Sequence, residues 1–308
     1  MRVLLLGADG QVGFELQRTL APLGQVVPTT LNGRLADGRA CGRSDFSDPG
    51  ALASLLESTR PDWVANAAAY TAVDRAEDDA NLAERINHWA LTVLGAWAAR
   101  SGALVVHYST DYVFDGRATQ PYREDDATAP LGVYGRSKLA GERALRDSGC
   151  DHLILRTAWV YAARGHNFLR TMLRLAGERE QLRIVADQIG APTSANAISQ
   201  AVVAMLPRSD ETISTKFEQR GGVVNLVCAG ETSWHGFATA IVSGLKSRGA
   251  KFAVKEIVAI GSGEFPVKAR RPSNSRLDLT RLRERFDIAM PTWERALGRE
   301  LDALKGTI

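Results

Sequence analysis

Tyr134 and Lys138 stand four residues apart in the run YGRSK, so on a helix both side chains leave from one face. A free phenol titrates near pH ~10. An ammonium within a few ångströms stabilises the phenolate and lowers that value, which makes the hydroxyl a usable proton donor. Reduction of a carbonyl needs such a donor at the developing alkoxide, opposite a hydride source. Thr110 ends the apolar run that leads into Ser109-Thr110-Asp111, and its hydroxyl can hold the substrate oxygen in line. A Tyr–Lys pair alone is also what an ordinary surface helix carries. The catalytic reading rests on its company.

That company is a glycine turn. Gly7, Gly10 and Gly13, with Gln11 and Val12 among them, form GADGQVG directly after a strand-like run, Arg2–Leu6, and at the mouth of a helical pattern. Glycines let the backbone turn tightly and approach a pyrophosphate, while helix N–H groups favour its charge. The spacing G-x-x-G-x-x-G departs from the commonest dinucleotide fingerprint but uses the same physics. NAD binders of this kind usually end the second strand with an acid that holds the ribose hydroxyl. Here that strand ends Pro28-Thr29-Thr30. The missing carboxylate removes repulsion against a 2′-phosphate, which Arg34 or Arg39 could reach, unless both are merely exposed loop residues. NADPH is expected ahead of NADH, and NADH stays open.

The elements that must position these groups alternate. Val3–Leu6, Gln25–Pro28, Trp63–Ala67, Leu104–Tyr108 and His152–Leu155 are short apolar runs suited to buried strands. Gln11–Leu23, Pro49–Ser58, Asn81–Ser101 and Tyr134–Ser148 carry helical spacing between them. Such alternation predicts an α/β fold, a doubly wound parallel sheet with helices on both faces. Thr110 then falls at the carboxyl end of the fourth strand, where such sheets place their ligand crevice. Beyond Arg156 the pattern loosens. Helices are expected at Asn167–Glu178, Asn196–Leu206, Ser233–Ser247 and Pro291–Leu304, and strands at Leu182–Val185 and Val223–Val227. Pro207–Gly222 reads as an exposed loop. Residues 1–158 are expected to form a dinucleotide domain and 159–308 mainly a smaller substrate domain, with segments near 182–206 and 223–230 returning to the first.

The 308 residues are 45% hydrophobic and 24% charged with a net charge of +3, which excludes wholesale disorder and gives no argument for nucleic acid or a membrane surface. Lys268, Arg270 and Arg271 form the densest basic cluster, short enough for local anion binding or solvated surface. Cys41, Cys150 and Cys228 are far apart and lack a C-x-x-C spacing, so neither disulfides nor zinc are expected. No apolar run approaches the roughly 18 residues of a membrane span, and no signal-peptide cleavage region is present, so a reducing cytoplasm is the expected compartment. The five histidines have no metal-ligand spacing, and His107 reads as a core histidine rather than a base.

Longer words carry more information. NAAAYTAVD at 66–74, STDYVFDG at 109–116, YGRSKLAGE at 134–142, RTAWVY at 156–161, DQIGAPT at 187–193 and RPSNSRL at 271–277 follow one another along nearly the whole chain. In that order and spacing the chain resembles the dTDP-4-dehydrorhamnose reductase family of the extended short-chain dehydrogenase/reductase superfamily. The resemblance implies a Rossmann-like fold and NAD(P)H-dependent reduction of the C4 ketone of a dTDP-linked deoxysugar. It implies Tyr134 as acid, Lys138 as its partner and Thr110 as the polarising hydroxyl. Gly10, Gln11 and Val12 would meet the pyrophosphate, Asp45 and Phe46 the adenine, and Ala69, Tyr70 and Thr71 the cofactor ribose; Thr30 ends the second strand beside it. Asp111 and Trp159 would contact the deoxysugar, while Asn167, Arg271 and Arg276 would hold the nucleotide portion. Trp159 could equally be core, and the two arginines could instead cap the C-terminal helix. Some members of the family dimerise through magnesium bound by glutamates. Glu15 and Glu294 match two such positions and Asn196 stands at the third, where an amide weakens a hard-cation site. A homodimer and magnesium thus remain open. The alternatives are a reductase or epimerase of another nucleotide sugar, and a non-catalytic regulatory subunit like the beta subunit of methionine adenosyltransferase.

Overall fold

The computed structural model describes residues 1–206, 217 and 221–304. Its main sheet has seven parallel strands: β1 (Arg2–Leu6), β2 (Gln25–Thr30), β3 (Gly42–Arg43), β4 (Trp63–Asn66), β5 (Leu104–Thr110), β6 (His152–Thr157) and β7 (Gly222–Asn225). They lie in the order β7-β6-β5-β4-β1-β2-β3. The order reverses between β1 and β4, where an open α/β sheet leaves a crevice at its carboxyl edge. All five strands expected in the first half are present. β3 is two residues long and leaves no pattern to read.

The sheet is covered on both faces, which is why its strands are continuous apolar runs. Val3 and Leu5 of β1 face one core with Leu16, Leu20, Ile198, Val202, Phe237 and Trp293. Leu4 and Leu6 face the other with Leu52, Leu56, Leu91 and Leu94. Period-two alternation along a single strand thus feeds two cores. The first of them draws residues from both halves of the chain.

The expected helix Asn81–Ser101 is interrupted. Ala80–Glu84 gives way to a π-helical turn, Arg85–Trp89, before Ala90–Ser101 resumes. The wide turn sets Asn87 inward, where it accepts from Tyr70 N and donates to Tyr70 O and Ser137 Oγ. Helical spacing cannot show an inserted residue of this kind, because the pattern resumes on either side.

In the second half, Asn167 caps the helix Phe168–Glu178 and Ser233 caps Trp234–Lys246, each accepting from a first-turn N–H. The last helix, Trp293–Ala303, is capped by Thr292. Gly222–Asn225 pairs with β6, whereas Gln181–Val185 pairs in parallel with Glu256–Ile260 as a separate two-stranded sheet. The expected loop at 207–222 lies outside the described residues apart from Phe217, Gly221 and Gly222. Among the described residues no helix is long and apolar enough to cross a membrane.

Candidate active site

The glycine turn closes the gap between β1 and the helix Gln11–Leu20. Gly7 has φ +74°, and a Cβ there would lie 2.7 Å from Ala68 N, so the turn presses on the loop after β4. A Cβ on Gly13 would lie 2.0 Å from Gly7 O. Gly10 is the N-cap and offers no side-chain cap, which leaves the first-turn N–H groups for a ligand anion. A dinucleotide pyrophosphate fits this cradle.

Around it, the expected cofactor residues have other partners besides. Gln11 Oε1 accepts from Asn167 Nδ2 at 2.9 Å. Asn167 Nδ2 also donates to Ala162 O and Arg164 O, so its amide braces the glycine turn and is not free for the nucleotide portion. Thr30 Oγ1 is buried against Asn32 and Arg34 N and shapes the following loop. Arg39 is paired with Asp37, while the Arg34 guanidinium only grazes Gly38 O at 3.4 Å. Asp45 accepts from Ser47 N and Oγ, which holds its carboxyl below the usual range. The Phe46 ring is taken into the core beside Leu4 and Leu52. Tyr70 is held by Asn87, between Ala69 and Thr71 in the loop.

The three candidate catalytic residues converge at the carboxyl end of β5. Thr110 Oγ1 donates to Asp111 Oδ1 at 3.0 Å and accepts from Tyr112 N at 3.2 Å. Burial pushes the Asp111 carboxyl up to about 6, against the pull of Ser275 and Thr110, and its Oδ2 has no hydrogen-bond partner. Tyr134 is in the first turn of the helix Val133–Asp147, its ring edge-on to Tyr112 with centroids 5.5 Å apart. Lys138 follows one turn later and is 2% exposed. Its Nζ lies 2.6 Å from Tyr108 O and 3.2 Å from His107 Nε2. Burial brings its ammonium down to about 7, with Glu142 opposing.

One expectation is corrected here. Lys138 hydrogen-bonds the strand and not the Tyr134 hydroxyl, and burial raises the Tyr134 phenol above its usual value, with only Thr110 opposing. A depressed phenol is not a feature of this arrangement, because the lysine's bonds are spent on β5.

Trp159, expected to contact the deoxysugar, has φ +50° and stacks on Trp234 with ring centroids 3.7 Å apart. Arg271 Nη2 pairs with Asp74 at 2.7 Å, while its buried Nε has no partner. Arg276 donates from all three guanidinium nitrogens, to Asn274, Glu231 and Thr119 O, so it ties loops together with three of its five N–H donors. Neither arginine caps the C-terminal helix. The metal expectation is also revised. Asn196 Nδ2 donates to Glu15 Oε2, and the carboxylate that faces them across the same cleft is Glu300, not the exposed Glu294. Among the described residues no three His, Cys, Asp or Glu side chains are grouped to hold a metal ion.

Asn66, Asp74, Asn87 and Trp234 were not picked out by sequence reasoning. Asn66 and Asp74 open and close the NAAAYTAVD run, which was their signal. Asn87 and Trp234 had none.

Comparison with known proteins gives the family. A family model, the RmlD substrate binding domain, matches residues 1–305. The dTDP-4-dehydrorhamnose reductase of Burkholderia thailandensis is 50% identical over 301 residues, covering 97% of each chain. That of Salmonella typhimurium is 42% identical over 301 residues, covering 98% of this chain and 97% of the relative. The crystal structure of dTDP-4-dehydrorhamnose reductase from Bacillus anthracis in complex with NADP superposes with a TM-score of 0.85 at 32% identity, over 98% of this chain and 99% of the other. On sequence and fold, the chain belongs to the RmlD substrate binding domain family, among the dTDP-4-dehydrorhamnose reductases.

Proposed function

We propose that this chain reduces the C4 ketone of dTDP-4-dehydro-β-L-rhamnose to dTDP-β-L-rhamnose, the last step in making that sugar nucleotide for polysaccharide. The observation that carries the reading is the convergence of Thr110, Tyr134 and Lys138 at the carboxyl end of β5, two strands from a glycine turn whose helix N-terminus has no side-chain cap. The nicotinamide supplies hydride when bound. NADPH is the favoured form, since the buried Thr30 puts no carboxylate beside the adenosine ribose and Arg34 keeps a nearly free guanidinium.

The chain's own groups then do the rest. Gln11 and Val12 present first-turn N–H donors to the pyrophosphate, which lies over the side-chain-free N-cap Gly10, and the loop Ala69–Thr71, fixed by Asn87, lines the ribose. Thr110, its hydroxyl turned from Asp111 Oδ1, donates to the ketone oxygen and holds it before Tyr134, which gives up its proton as the alkoxide forms. Lys138, as ammonium, stabilises the phenolate left behind. Asp111 and Trp159 contact the deoxysugar, and the unpartnered Nε of Arg271 takes a diphosphate oxygen.

The purified protein with NADPH and the keto-sugar should oxidise the cofactor and yield the rhamnose epimer by NMR. Tyr134→Phe should lower kcat by roughly 100- to 10,000-fold. Normal turnover by that variant would remove Tyr134 as the acid. No oxidation with any keto-sugar nucleotide would overturn the reductase reading and favour a regulatory one.

A further inference from the structure

Asn66 of β4 and His107 of β5 are register partners at the carboxyl edge of the sheet, and both are 1% exposed. Asn66 Nδ2 lies 3.0 Å from His107 Nδ1, and His107 Nε2 lies 3.2 Å from Lys138 Nζ. Asn66 Oδ1 accepts from Ala68 N at 3.2 Å. Three buried polar groups thus form a row that ends on a backbone N–H in the loop expected beside the cofactor.

Hydrogen-bond bookkeeping fixes the protons in this row. Ala68 N–H needs an acceptor, so the Asn66 oxygen faces it and the Asn66 NH2 faces the ring. His107 Nδ1 must then accept, and a neutral imidazole carries its proton on Nε2. An Nε2–H opposite an ammonium would set two donors against each other. It is matched by a neutral amine, whose lone pair accepts from Nε2–H while its own N–H donates to Tyr108 O. The ammonium form needs the reverse: an unprotonated Nε2, the ring proton on Nδ1, and the Asn66 amide turned over to accept it. That turn takes the acceptor from Ala68 N–H. The two states differ by one proton, on Lys138 Nζ, and by the ring proton's shift from Nε2 to Nδ1.

We propose that Asn66 and His107 are positioning residues that couple protonation of Lys138 to the amide orientation of Asn66 and, through it, to the backbone N–H of Ala68. The proposal builds on the reductase reading, in which Lys138 must be an ammonium at the moment Tyr134 gives up its proton. The other ionisable groups around the lysine do not supply this coupling. Glu142, on its own helix, is locked to Arg156 of β6 by a buried ion pair. Tyr134 lies one turn earlier on the same helix, and Asp111, after β5, is bonded to Thr110. The His107 ring itself stays neutral, since burial and the neighbouring lysine both hold its pKa well below the usual value.

The test is NMR of the full chain with labelled histidine and lysine, followed from about pH 5 to about 9, across the range where an imidazole ordinarily titrates. The 15N shifts of His107 should show the Nδ1–H tautomer at low pH and the Nε2–H tautomer at high pH, switching at the midpoint read from Lys138 13Cε. His107→Gln offers an amide oxygen to the ammonium with no tautomer to change. It should raise the Lys138 midpoint by about one unit, a tenfold gain in proton affinity, and carry the alkaline fall of kcat upward with it. Asn66→Asp, which accepts from Ala68 N–H and Nδ1–H together, should shift the midpoint the same way. A His107 ring that keeps one tautomer throughout, or a Lys138 midpoint unchanged in both variants, overturns the coupling. The NMR result stands apart from turnover, so a failure of the reductase reading would appear only as absent ketone reduction in the unaltered protein.

Discussion

Trp159 and Trp234 lie face to face, their ring planes 14° from parallel. One ring follows β6 and the other opens the helix Trp234–Lys246, so the stack joins the sheet's carboxyl edge to the second half of the chain. Trp159 holds a left-handed backbone at φ +50°, a conformation that costs a side-chain-bearing residue about 1–3 kcal/mol. The stack and Gly190, where a Cβ would lie 2.8 Å from Trp159 Cε2, hold the ring in place. Trp234→Ala removes the support without touching the dinucleotide turn. Aromatic pairing contributes about 0.5–1.5 kcal/mol beyond burial, so KM for the keto-sugar should rise roughly 3- to 10-fold. NADPH affinity should hold constant in a fluorescence titration. An unaltered KM would separate the stack from sugar binding.

Gly13→Ala should act on the other ligand. The new Cβ would lie 2.0 Å from a backbone oxygen, which cannot swing aside as a side-chain tip can. Either the helix Gln11–Leu20 moves away from β1 or the turn opens, and both spoil the pyrophosphate cradle. Overpacking of this kind costs about 1–3 kcal/mol in stability. NADPH binding should be lost well before the fold, as titration beside thermal unfolding would show. Gly10→Ala, whose Cβ would approach the same oxygen only to 3.3 Å, should be the milder change.

Much of this was legible because the sheet is buried on both faces. Strands such as β1 and β5 must then be unbroken apolar runs, and the residues just beyond them fall in the crevice, so Gly7 and Thr110 could be placed by counting. What escaped were relations between distant residues. Nothing in the spacing tells that Asn167 turns to Gln11, that Arg276 ties loops together, or that Glu300 rather than Glu294 faces Glu15. The direction of Lys138 escaped for the same reason. Two side chains on one helical face need not meet when a strand carbonyl competes for the longer one.

Glu142 and Arg156 make a bidentate ion pair, at 2.9 and 2.6 Å, with side chains 1% and 3% exposed. Arg156 also donates to Glu124 O. Removing one partner of a buried pair leaves an uncompensated charge and costs about 3–5 kcal/mol. Glu142→Gln should therefore lower the urea midpoint by that equivalent. Glu142→Leu combined with Arg156→Met removes both charges and should recover most of the loss. A single variant as stable as the unaltered protein would mean that water reaches the pair.

Lys138 should leave its own signature on stability. Its folded value, about 7, lies below the unfolded 10.5, so the unfolded chain binds the extra proton between those limits. Below pH 7 both states are protonated, and folding carries the full cost of the buried charge. As pH rises from 7 toward 10.5 that cost is relieved, by up to ~1.4 kcal/mol per unit. Lys138→Met has no such group and no such slope. It should be inactive yet more stable than the unaltered protein at about pH 6, with the gap narrowing steadily toward about pH 9. Urea unfolding of the two proteins across that range reads the gap directly. Parallel stability curves would mean that the lysine titrates alike in the folded and unfolded chain, and that burial on β5 does not govern its proton.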